Sequence, residues 1–119
     1  MPDTTLSRYY RALDEDRFDD ALAMLDADIR FMIVLPTQVR RGQGRDAMRS
    51  YIGARGVPDR VHHLLRQSVD DDVEFFYGKV TDGGTPTGRF LAGARLGTDG
   101  LIASYQVTFD LEHVLVEDA

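Results

Sequence analysis

The segment His62-His63-Leu64-Leu65-Arg66-Gln67 is the part of this chain best equipped to move a proton. An imidazole titrates near neutrality, so it can serve as acid or base at physiological pH. The segment looks like a strand, and a strand alternates its faces. Simple alternation puts His63, Leu65, Gln67 and Val69 on one side and His62, Leu64, Arg66 and Ser68 on the other. The first set places a histidine and an amide on an otherwise apolar stripe. Such groups are either a satisfied core pair, with His63 bonded to Gln67 or Tyr51, or the lining of a polar pocket. Tyr9 and Tyr10 add hydroxyls that could donate to a developing negative charge, although their spacing also suits helix packing.

Other chemistries find little support. The chain has no cysteine, which removes disulfides, thiolate nucleophiles and cysteine–metal sites. His62 and His63 point to opposite faces and cannot chelate one metal, and His113 is remote. Asp70-Asp71-Asp72 lacks the twelve-residue loop and glycine spacing of a calcium site. Gly42-Gln43-Gly44 lacks the lysine of a phosphate loop, and no serine occupies a nucleophile elbow. Arg30, Arg89 and Arg95 read as salt-bridging or solvent-facing side chains. No metal and no cofactor is expected.

The elements that must position these groups follow from periodicity. Thr4 or Thr5 can cap a first helix with Leu6, Tyr9, Tyr10 and Leu13 inward. Asp16 is the expected N-cap of a second, with Phe18, Ala21, Leu22 and Leu25 inward. Ile29 to Leu35 forms a mostly buried strand closed by Pro36. Arg40 to Gly44 reads as a loop, and Gly44 caps a third helix from Arg45 to about Ile52, ended by Gly53, Gly56 and Pro58. From Val61 the period changes to two. Strands at about 61–70, 73–82, 88–97 and 101–112 are joined by short turns, hence antiparallel.

At 119 residues this is one domain, residues 1–119, large enough to bury roughly two-thirds of its unfolded surface. A net charge of −6 argues against nucleic acid as a partner. The first residues lack a signal peptide, and no apolar run approaches the ~18 residues of a membrane span, so a cytoplasmic protein is expected.

The order helix, helix, strand, helix, four strands resembles the nuclear transport factor 2-like fold, with its ketosteroid isomerases and SnoaL-like polyketide cyclases. The match is carried by Arg8-Tyr9-Tyr10-Arg11-Ala12-Leu13, Phe18-Asp19-Asp20-Ala21-Leu22, Leu25-Asp26-Ala27-Asp28, Arg41-Gly42-Gln43-Gly44-Arg45-Asp46-Ala47-Met48 and Tyr105-Gln106-Val107-Thr108-Phe109-Asp110. It implies an α+β cone, a curved antiparallel sheet wrapped against three N-terminal helices. The open end would hold a ligand pocket, and the implied chemistry is proton transfer beside a carbonyl, or a cyclisation or dehydration built on it. Ketosteroid isomerase sets an aspartate base against a tyrosine and a neutral aspartic acid. By this resemblance the base position falls at Ile33, with Met32 before it where cyclases often have histidine, the isomerases' second acid falls near Ala92, and the last-strand aspartate of many cyclases falls at Val107, so no carboxylate stands at any of the three. Tyr9 matches the first-helix tyrosine.

Together these readings place His63, Tyr9 and Tyr10 as catalytic candidates and Gln67, Met32 and Tyr51 as substrate contacts, with His63 facing the concave side toward the tyrosines and Met32. The ligand would be a small hydrophobic carbonyl compound. The alternative is a non-catalytic binding or dimeric assembly module of the same fold. Large side chains on both sheet faces (Phe75, Tyr77, Tyr105, Val107, Phe109) call for a covered outer face, hence a homodimer.

Overall fold

A computed structural model describes residues 3–55 and 59–118. Helix α1 (Thr5–Asp14) starts in a capping box: the Thr4 hydroxyl accepts from the Ser7 N–H at 3.0 Å, and the Ser7 hydroxyl accepts from the Thr4 N–H at 3.1 Å. The next two amides, of Thr5 and Leu6, donate to the buried carboxylate of Glu74 at 3.2 and 2.8 Å. An anion brought from a distant strand thus completes the cap, at the end of the helix where the dipole favours it. Leu6, Tyr9, Tyr10 and Leu13 form the buried stripe.

The helix α2 (Phe18–Ala23) is preceded by Arg17 at its N-cap, not by Asp16. Asp16 is already used: with φ +59° it occupies the left-handed position that ends α1, where its N–H reaches the Leu13 carbonyl and that of Arg17 the Ala12 carbonyl. Strand β1 (Leu25–Val34) begins earlier than its apolar run suggests. Residues Val39–Gln43 form strand β2, antiparallel to β1, where a loop was expected. This strand lies at the sheet edge with its side chains largely exposed, so it carries no alternating apolar signal. Helix α3 (Arg45–Arg55) follows Gly44, whose carbonyl accepts from Met48, and it continues past Gly53; Gly56 and Pro58 lie outside the described residues.

Four strands complete the chain: β3 (Arg60–Asp70), β4 (Val73–Asp82), β5 (Thr85–Leu96) and β6 (Ile102–Asp110), each antiparallel to the next. The β4–β5 link narrows to Gly83-Gly84, whose φ of +59° and +85° suits a two-residue hairpin turn. The sheet order is β2-β1-β6-β5-β4-β3, and β1 runs parallel to β6. The result is a curved, open six-stranded mixed sheet against three helices, the α+β cone expected. Phe90, Leu6, Leu25, Ile29, Met48, Ile102 and Val107 fill its centre. No described helix is long and apolar enough to cross a membrane.

Candidate functional site

His62, and not His63, faces the inside of the cone. Its side chain is 1% exposed. The ring stacks on Tyr10 with centroids 4.5 Å apart and meets the edge of Phe90 at 5.2 Å. Asp14, in the last turn of α1, grips it twice: the His62 backbone N–H donates to one carboxylate oxygen at 2.8 Å, and Nδ1 lies 2.7 Å from the other. A carboxylate accepts on both oxygens, so Nδ1 donates its proton to Asp14.

The change of face has a local cause. Between Leu64 and Arg66 the β3–β4 register shifts, and Leu65 is the extra residue of a bulge. His62 pairs with Val80 and Leu64 with Gly78, both inward; beyond the bulge Gln67 pairs with the inward Phe76. His62 and Gln67 therefore share the concave side although one position is even and the other odd. His63 is on the opposite side, cross-strand from Lys79, with Nε2 2.8 Å from the Thr81 hydroxyl.

Beside the dyad, the hydroxyls of Tyr10 and Tyr105 are hydrogen-bonded to each other in the buried interior. Tyr9 packs edge-on against both rings, at 5.6 and 5.9 Å. Burial, followed by the neighbouring Tyr10 and Tyr9 hydroxyls, holds the Tyr105 phenol well above its ordinary pKa of 10.0. It stays protonated and able to donate.

These side chains enclose a cavity of only about 20 Å³, walled by Tyr9, Tyr10, Tyr51, Arg60, His62 and Tyr105 together with apolar residues that include Ile33 and Val107. Two larger grooves share its walls. One, of about 560 Å³, lies between α1 and β3 and includes Tyr10, Asp14, His62 and Gln67. The other, of about 600 Å³, lies between β2 and α3 and includes Tyr51 and Arg60. Of the expected residues, Tyr9, Tyr10 and Tyr51 converge on the interior. Gln67 lines the α1–β3 groove, where its side-chain oxygen accepts from the Thr4 hydroxyl at 3.4 Å. Met32 does not converge: it is cross-strand from Gln106 and Arg41 on the outer face, while its neighbour Ile33 is buried inside.

Asp14 and Tyr105 are the members that sequence reasoning passes over. Asp14 sits in an acidic run that reads as a break between helices, yet it lies four residues after Tyr10 and so on the same helical face. Tyr105 shares a strand face with Val107, and both are buried inside, not on the outer face.

The model of the SnoaL-like domain matches residues 6–105. The chain belongs to the SnoaL-like family. Solved structures agree on the fold. An NTF2-like protein of unknown function from Exiguobacterium is 26% identical, with 90% of this chain and 98% of that one covered and a TM-score of 0.66. A protein of Sinorhizobium meliloti, described as a candidate polyketide cyclase, is 22% identical over 91% of this chain and 95% of its own, with a TM-score of 0.70. The epoxide hydrolase/cyclase-like enzyme SalBIII of pyran ring formation in salinomycin is 17% identical over 90% and 88%, with a TM-score of 0.72. No curated protein matches significantly. Ile33, Ala92 and Val107 are buried and apolar, and the carboxylate that holds the interior imidazole comes from α1 as Asp14.

Proposed function

We propose that this SnoaL-like chain is an acid–base enzyme acting on a small hydrophobic carbonyl compound, polyketide- or steroid-like, in an isomerisation, cyclisation or dehydration. The observation that carries the reading is the buried His62 ring held by Asp14 at the groove edge, next to the Tyr10–Tyr105 hydroxyl pair. A buried imidazole held by a carboxylate beside a cleft is what proton transfer needs. His62 Nε2 takes a proton from the carbon beside the carbonyl, and the electron pair moves onto the carbonyl oxygen. The two tyrosines hold two hydroxyl protons. One bridges their oxygens, and the other is donated to the developing enolate. The imidazolium then returns its proton to carbon, in an isomerisation, or to a departing hydroxyl, in a dehydration. Asp14 orients the ring and offsets its charge while it is protonated.

The second reading is a ligand-binding or assembly module without chemistry. It is favoured by the interior volume of about 20 Å³, close to that of one water, so that a larger substrate must displace side chains. A homodimer fits either reading, because Phe75 and Leu91 on the outer face are 43% and 49% exposed.

The deciding experiment is deuterium exchange at the carbon beside the carbonyl, followed by NMR in D₂O, across a panel of aryl ketones and steroid enones. Exchange by the wild type that falls about 100-fold or more in His62→Gln and in Asp14→Asn supports the enzyme. Ketone binding with no exchange by the wild type supports the module instead.

A further inference from the structure

The groove between β2 and α3 differs from its counterpart in charge. Its floor is apolar, formed by Phe31, Leu35 and Tyr51, and its wall includes Arg40, Arg41 and Arg60, with no carboxylate among the described residues that line it. The α1–β3 groove instead contains three carboxylates, of Asp3, Asp14 and Glu15, against one arginine, Arg11. In a chain of net charge −6 this is a local reversal of sign. Arg60 is matched by Asp82, which accepts two hydrogen bonds from it at 2.8 and 3.1 Å. Among the described residues Arg40 and Arg41 belong to no ion pair, whereas Arg11, Arg17, Arg49 and Arg89 do.

We propose that the β2–α3 groove binds an amphipathic molecule with an oxyanionic head, such as an aromatic carboxylate, its head on Arg40, which is cross-strand from the inward Ile33, and its body on Phe31 and Tyr51. A guanidinium presents a planar fork of donors that fits a carboxylate or phosphate, and the volume of about 600 Å³ lies in the range of ligand sites. Tyr51 and Arg60 belong both to this groove and to the inner cavity, so a bound molecule has its far end toward His62 and the tyrosine pair. That this ligand is the substrate rests on the acid–base reading above; that it binds does not. The site then accounts for a substrate class: carbonyl compounds that also carry an acid group, admitted on the cationic side and repelled from the acidic one.

The test is calorimetric titration of the full chain with naphthoate, with the neutral isostere naphthamide and with naphthyl phosphate, at low and high salt. Naphthoate should bind about tenfold or more tightly than the amide, since charge-assisted hydrogen bonds replace neutral ones. High salt should narrow the gap, and Arg40→Gln should close it. Arg40 is exposed, and the thermal midpoint of the variant should match the wild type. Tighter, arginine-dependent binding of the phosphate would support the oxyanion site and assign its head group. Equal affinity for acid and amide, or a preference that survives the substitution, would overturn the proposal. His62→Gln should retain naphthoate binding. Binding kept while ketone exchange is absent in the wild type overturns the acid–base reading alone.

Discussion

His62 and His63 are adjacent in sequence, yet their removal should have unequal consequences. His62→Ala strands an Asp14 oxygen that has lost its ring donor and opens a void under Tyr10, and it should cost about 1–3 kcal/mol. His63→Ala frees only the Thr81 hydroxyl, which can rotate to another partner, and should cost less than about 1 kcal/mol. Urea unfolding of the two variants tests the ordering, and equal losses would refute the assignment of faces. Tyr105 leads to a second prediction. Its folded pKa is raised above the unfolded 10.0, so the native state holds this proton more tightly than the unfolded chain. The resulting stability is complete below pH 10 and is lost as pH rises through the folded value. Tyr105→Phe has no phenol to titrate and should flatten the alkaline decline in thermal midpoint.

The bulge at Leu65 shows why the elements were legible and the site only partly so. Periodicity locates α1, α3 and all four meander strands to within a few residues, because each buries a regular stripe. A single inserted residue in β3 leaves that element's length and composition unchanged but reverses its side-chain parity, so Gln67 falls on the expected face and His63 does not. The edge strand β2 was invisible for a related reason, since a strand with both faces exposed has no apolar alternation to read. The role of Glu74, which caps α1 across a long stretch of chain, depends on tertiary contact alone. Close to the bulge, Gly78 sits where a Cβ would lie 2.3 Å from the His63 carbonyl oxygen and 3.0 Å from the rings of Phe76 and Phe90. Backbone cannot yield as a flexible side chain can. Gly78→Ala should therefore spread the β3–β4 ladder, destabilise the fold by about 1–3 kcal/mol or more and speed amide exchange in β3.

At the scale of the whole molecule the two sheet faces are finished differently. The inner face is closed by helices. The lower part of the outer face is crossed by the segment after β6: the Leu115 N–H donates to the Tyr77 hydroxyl at 2.8 Å, and Asp118 pairs with Lys79 and with Arg89. The upper part, around Phe75 and Leu91, forms a shallow groove of about 350 Å³ with Arg95 and Gln106 in its wall. If two copies pair through it, sedimentation at tens of micromolar, roughly the range of weak interfaces, should give a dimer for the wild type and a monomer for Phe75→Asp. A wild-type monomer would count against pairing. The strand order has a consequence for how the chain acquires its shape. β1 and β2 pack with α3, while β3 and β4 gather α1, and β6 is the strand that joins β1 to the β5-β4-β3 meander. Its partner β1 is far away in sequence, so this pairing carries a large loop-closure entropy and closes late. A ribosome that has not yet released β6 holds two half-sheets whose apolar edges have no mate, and chaperone capture of chains stalled before Ile102 should be strongest at that stage.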